Sequence, residues 1–168
     1  MEQKDPRATS ALPRVDLRED DATRSGGLGV NDEQDPKKKF LILVVDDSAD
    51  NVAILSLDLQ QEGYRVVTAT DGEEAISVAS TTLPNLILMD ISMPKLDGLG
   101  ATRKIREMEA LKEIPVVAVT AFGTEGFQRA AYDVGVSGYL TKPINFARMH
   151  QLVAGLLGPK GSGSLIRP

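Results

Sequence analysis

Cysteine and tryptophan are both missing from these 168 residues, and histidine occurs once. Without thiols there is no disulfide framework, no thiolate metal site and no cysteine nucleophile, which fits a reducing compartment with the cytoplasm as the default. Long apolar runs are missing too. The longest fall well short of the roughly 18 residues a membrane-spanning helix needs, and the polar N-terminus has no signal-peptide apolar region. A soluble chain is expected. There is no surplus of positive charge, since 19 Lys and Arg face 24 Asp and Glu for a net −5. A nucleic-acid backbone or an anionic membrane is therefore a poor partner for the chain as a whole.

The length suits one ordinary α/β domain and not two. Residues 1–39 hold 8 Lys or Arg, 9 Asp or Glu, five Leu or Val and no aromatic, too little apolar surface to offset chain entropy. They read as a disordered N-terminal tail. Lys37 to Lys39, beside Asp32, Glu33 and Asp35, read as ordinary solvated charge. Every Phe and Tyr lies between Phe40 and Phe146, which places the folded domain at 40–158 and leaves 159–168, rich in Gly and Ser, as a flexible C-terminal tail. That segment lacks the spacing, the preceding strand and the following helix of a phosphate-binding loop.

Five apolar runs are predicted as strands: 40–45, 65–69, 86–89, 116–119 and 138–140. Three are continuously apolar, as strands covered on both faces should be. Helical signals fill the gaps. Ser48 opens a helix with Val52, Leu55 and Leu59 on one face and Gly63 at its end, and Asp71 caps one carrying Ala75, Ile76 and Ala79. Further helices are predicted from Gly98 to Met108, from Thr124 to Val134 before Gly135, and from Asn145 to Leu157. The pattern is (βα)₅.

Asp46 and Asp47 follow the first run, Asp90 the third, Thr120 the fourth, and Lys142 lies just past the fifth. Singly, each has an ordinary reading. Asp46-Asp47-Ser48 is a capping cluster, Asp90 a loop carboxylate, Thr120 a β-branched strand residue, Lys142 a solvated amine and Tyr139 a half-buried strand aromatic. Together they share one place, the trailing end of a buried strand, and in a parallel sheet those ends form one edge. His150 in NFARMHQLV reads as a helix residue rather than a phosphohistidine. Met89 and Met93 read as packing.

The successive strings VVDDS, LILMDISMP, VAVTA and GYLTKP resemble, in order and spacing, the response-regulator receiver domain of two-component signalling, over nearly all of 40–158. The resemblance implies a doubly wound, flavodoxin-like parallel sheet of strand order 2-1-3-4-5, the order for which a receiver protein is a standing example. With neighbouring strands about 4.8 Å apart, that order sets Asp46 and Asp47 beside Asp90. Three crowded carboxylates should raise at least one pKa unless a cation sits among them. Mg²⁺ is the natural candidate, a hard ion suited to carboxylate, water and phosphate oxygens, with no His or Cys set for zinc. The resemblance adds the Ser92 backbone carbonyl as a ligand.

Asp90 is the expected phosphorylation site, attacking a phosphohistidine to give an acyl phosphate. Thr120 is placed to reach a phosphoryl oxygen. Lys142, about 10 Å from Asp90 by two strand spacings, is long enough to span the gap. Tyr139 matches the aromatic that this family swings inward, Lys142-Pro143 resembles the family's cis peptide, and Ser92 and Phe122 stand where dephosphorylation is influenced. The protein is then no conventional enzyme, but it catalyses its own phosphorylation from phosphohistidine and its own dephosphorylation. Expected partners are a sensor histidine kinase or histidine phosphotransfer protein, and a downstream protein met through the face of helix 4, strand 5 and helix 5. The expected state is a stand-alone receiver acting in trans, as a monomer or a phosphorylation-dependent dimer.

Three other readings compete. A Mg²⁺-dependent phosphohydrolase with an aspartyl nucleophile resembles the haloacid dehalogenase family, but that family carries a second Asp where this chain has Ser92. A flavodoxin-type binding module would need a phosphate-cradling loop where Asp46 and Asp47 stand. A phosphate-independent interaction module of receiver fold is the third.

Overall fold

The computed structural model describes Lys37 and residues 40–158, and within them strands and helices alternate strictly. The elements are β1 (Leu41–Val45), α1 (Ala49–Gln61), β2 (Arg65–Ala69), α2 (Gly72–Thr82), β3 (Leu86–Asp90), α3 (Gly98–Glu107), β4 (Val116–Thr120), α4 (Glu125–Val134), β5 (Gly138–Thr141) and α5 (Phe146–Leu157). The expected tails, 1–39 apart from Lys37 and 159–168, lie outside the described residues. Lys37 itself pairs with Glu62 at 2.9 Å, its ammonium 5.7 Å from the centre of the Tyr64 ring.

All five strands are parallel, in the order β2-β1-β3-β4-β5. This is the doubly wound flavodoxin-like sheet that the sequence implied. The runs LILMD and VVAVT are buried from end to end, because helices cover both faces and no polar alternation is needed. Alternate residues feed two cores. Leu43, Val45, Ile87, Met89, Val116 and Ala118 pack with Ala75, Ala79, Ala101, Ile105 and Ala131 of α2, α3 and α4. Ile42, Val44, Leu86, Leu88, Val117 and Val119 pack with Leu55, Leu59, Met149 and Val153 of α1 and α5. Among the described residues no helix is long and apolar enough to cross a membrane.

The predicted caps operate: Ser48, Asp71 and Asn145 each accept from a backbone N–H of the first turn of α1, α2 and α5. Two helix ends depart from the expected chemistry. α2 stops on Leu83 at φ 48°, a left-handed position that glycine would take at lower cost. Thr124 precedes α4 without any side-chain capping bond, while Gly135 closes that helix at φ 105°. Arg106, near the end of α3, donates to the Gly135, Lys112 and Ile114 carbonyls at 2.8–3.1 Å. One guanidinium thus joins three chain segments.

Predicted strand ends need a small correction. β3, β4 and β5 each run one residue further than the apolar runs indicated, so Asp90 and Thr120 are the last strand residues rather than the first beyond it. The ladder continues through them because Asp90 stands opposite Val119 and Thr120 opposite Thr141.

Candidate functional site

Parallel pairing brings the trailing strand ends to one edge, and register decides which side chains meet there. Val45 lies opposite Met89, so the next residues along β1 and β3, Asp46 and Asp90, stand side by side. Both are nearly inaccessible, at 1 % and 4 % exposure, whereas Asp47 is exposed. Carboxylate oxygens of the three all fall within 4.8 Å of one another. That donor set contains only oxygen and opens to solvent at Asp47, which fits a hard divalent cation.

Donors already hold the buried pair. Asp46 accepts from the Ser48 N–H at 2.9 Å and from the Asn51 side-chain amide at 3.1 Å, and Asp90 accepts from the Ser92 N–H at 2.9 Å. Lys142 reaches across from the far side of β4 and donates to Asp46 at 2.8 Å and to Asp90 at 2.7 Å. The backbone N–H of Lys142 is itself anchored on the Thr120 carbonyl at 2.8 Å, and the Lys142-Pro143 peptide is cis.

Burial is the leading reason that Asp90 is held above its ordinary pKa, with the Asp46 charge adding to it while Lys142 and the Ser92 N–H pull the other way. The sequence placed repulsion among carboxylates first. Desolvation leads instead, because the site sits at the end of a fully covered strand and Lys142 cancels part of the repulsion. For Lys142, burial pulls downward, yet its hydrogen bonds and charge contacts with Asp46 and Asp90 outweigh this and hold the ammonium above its ordinary value.

Thr120 is fully buried at the end of β4, and its hydroxyl oxygen accepts from the Phe122 N–H at 3.1 Å. That bond uses a lone pair and not the hydroxyl hydrogen. The Tyr139 phenol donates to the Phe122 carbonyl, so the backbone of one residue is joined to both Thr120 and Tyr139. Tyr139 is 5 % exposed, and burial raises its pKa against the opposing pull of its hydrogen bond with Thr120, with Tyr132 adding a smaller push upward. The Phe122 side chain is exposed and stacks at 5.0 Å on Phe127.

The structure thus gathers Asp46, Asp47, Asp90, Ser92 and Lys142 directly and sets Thr120 and Tyr139 alongside. Sequence reasoning missed Asn51. Its signal was positional: three residues after the Ser48 cap, it lies in the first turn of α1, where a side chain can reach back to the strand end. His150 takes no part in the cluster, being paired with Asp58 of α1 at 2.6 Å.

Residues 42–154 match the family profile described as the response regulator receiver domain. The chain is 42 % identical over 115 residues to the response regulator PleD of Caulobacter vibrioides, covering 66 % of this chain and 25 % of PleD. It is 33 % identical over 117 residues to the polar-differentiation response regulator DivK of Brucella ovis, covering 70 % of this chain and 95 % of DivK. The chain therefore spans about a quarter of one relative and nearly all of another. Among solved structures, the receiver domain of a Pseudomonas aeruginosa sensor histidine kinase, with a magnesium ion coordinated in its active-site cleft, matches at TM-score 0.67 and 33 % identity over 71 % of this chain and 98 % of that one.

Proposed function

Because this chain belongs to the response regulator receiver domain family of two-component signalling, we propose that residues 40–158 form a Mg²⁺-dependent switch phosphorylated on Asp90. The observation that carries this reading is the one ammonium, Lys142, bonded to both buried carboxylates Asp46 and Asp90 beside an oxygen-only cation cradle.

Asp46, Asp47, Asp90 and the Ser92 carbonyl would hold the Mg²⁺. When bound, the ion neutralises charge on the transferring phosphoryl group. Asp90 supplies the nucleophile: a carboxylate oxygen forms an O–P bond as the N–P bond of a partner's phosphohistidine breaks, and the departing imidazole nitrogen takes a proton. Lys142 offers its ammonium to the phosphoryl oxygens without having to travel, which is the value of a preorganised charge. Thr120 turns its hydroxyl hydrogen to a phosphoryl oxygen, and Tyr139 follows through the Phe122 backbone they share. The face of α4, β5 and α5 then presents the signal to a downstream protein as a population shift. The phosphoryl donor is a sensor histidine kinase or a histidine phosphotransfer protein.

The test is intact-protein mass after incubation of wild type and Asp90→Ala with acetyl phosphate, with Mg²⁺ or with EDTA. A single phosphoryl adduct on wild type in Mg²⁺ alone is expected. Failure to form an adduct, together with failure to bind beryllofluoride, overturns the reading in favour of a phosphate-independent interaction module.

A further inference from the structure

The segment between Asp90 and α3 carries Ser92, and its middle is held from outside by a different part of the fold. Its ends are held by β4 and by the segment's own turns: Ile91 donates to the Val119 carbonyl, and the Ile91 carbonyl accepts from Met93 and Gly98 at 3.2 and 3.1 Å. Between these points Lys95 adopts φ 65°, and among the described residues only it and Leu83 are non-glycine residues with positive φ. Long side chains enter that left-handed region rarely, and residues held in it near a functional site mark a constraint imposed by their surroundings.

The surroundings here are the start of α2. The Lys95 ammonium donates to Asp71 Oδ2 at 2.6 Å, while Asp71 Oδ1 is occupied capping α2 through the Glu73 and Glu74 N–H groups at 3.0 and 2.9 Å. Both oxygens are thus committed, and the carboxylate has one orientation. The adjoining residue, Gly72, lets the loop come close: a Cβ there would fall 2.4 Å from the Leu96 carbonyl oxygen. An exposed ion pair of this kind adds little to global stability, and the Lys95 side chain is 64 % exposed. What the pair does do is join the middle of the loop to the start of α2.

We propose that Lys95, clamped to the α2 cap Asp71, is a positioning residue that sets the Ser92 backbone for the cation at Asp46, Asp47 and Asp90. This rests on the Mg²⁺ reading above. Lys95 touches neither the cation nor the phosphoryl group. Its effect travels through three residues of backbone, so removing it should loosen the ligand loop while leaving the sheet and both cores intact. The link also makes the start of α2, on the far side of β1 from Lys142, a second support of the site.

The experiment is a Mg²⁺ titration of the full chain followed by melting temperature, on wild type, Lys95→Ala, Lys95→Arg and Asp71→Asn, the last keeping a competent cap. Lys95→Ala and Asp71→Asn should each weaken apparent Mg²⁺ affinity by about tenfold, the lower end of what losing an outer partner of a metal ligand costs. Metal-free melting temperatures should match wild type, and Lys95→Arg should restore the affinity. Wild-type affinity in Lys95→Ala overturns this inference alone, as does a fall in metal-free melting temperature that accounts for the weakening. Absence of any Mg²⁺ effect on wild type overturns the Mg²⁺ reading, and this inference falls with it.

Discussion

Lys142 and Asp90 are 52 residues apart in sequence and 2.7 Å apart in space, and a second bond of 2.8 Å ties the same ammonium to Asp46. Removing the ammonium leaves two buried carboxylates without their common counter-charge. Lys142→Met should cost about 1–3 kcal/mol in metal-free buffer, less than the ~3–5 kcal/mol of a fully buried pair, because the Lys142 side chain is 25 % exposed. Mg²⁺ at a hundredfold over its Kd should add about 2.7 kcal/mol of stability. At equal Mg²⁺ concentration the rise in melting temperature should be larger in Lys142→Met than in wild type, since the ion then relieves more repulsion and binds more tightly. Scanning calorimetry with and without EDTA reads both effects, and an unchanged melting temperature in Mg²⁺ would count against the shared site.

Asp90 sets a pH dependence of definite sign. With burial holding it above its ordinary value near 3.8, the folded chain keeps a proton that the unfolded chain has already released as pH rises past that value. Stability from this group therefore falls as pH rises towards the folded pKa, and levels off above it. Urea midpoints in EDTA at intervals from about pH 4 to pH 7 should show that slope in wild type and not in Asp90→Asn. Identical profiles would mean that Asp90 is solvated in the folded state.

Gly98 stands where the chain has no room for a side chain. A Cβ there would lie 2.1 Å from the Asp90 carbonyl oxygen, so Gly98→Ala must push the end of β3 aside. The expected loss is about 1–3 kcal/mol, as for other overpacked sites, together with slower phosphorylation. Gly126→Ala in α4 is the matched control, because a Cβ there meets nothing within 4 Å and helix propensity should add about 0.5–1 kcal/mol. Equal midpoints for the two variants would contradict the clash.

Tyr139→Phe removes the donor to the Phe122 carbonyl while keeping the ring in its core. The expected cost is about 1 kcal/mol. Faster amide exchange confined to the 121–124 segment would locate it, and exchange spread evenly over α5 would place the loss elsewhere.

What could be read from sequence follows from how far each signal reaches. β1, β3 and β4 announced themselves because LILVV, LILMD and VVAVT have apolar residues on both faces, and Asp46, Asp90, Thr120 and Lys142 were legible as the residues that end such runs. The sheet order came from resemblance, since five short strands do not encode their neighbours. That Asp90 and Thr120 still belong to the ladder is a matter of pairing register, which a polar side chain at a strand end does not reveal. Asn51, Arg106 and the Lys95–Asp71 bond stayed hidden for a related reason. Each depends on the angle at which a helix end or loop meets a distant element, and a pattern of period 3.6 or 2 carries no such angle.

Arg106 and Thr124 give α4 unequal ends. At the Gly135 end the helix is fastened to α3 and to the turn before β4 by the bonds from one guanidinium, while the other end begins without a side-chain cap after a run, 121–124, that is exposed throughout. With its Gly135 end tied down, any displacement of α4 would be smallest there and largest at the end that starts a few residues from Thr120.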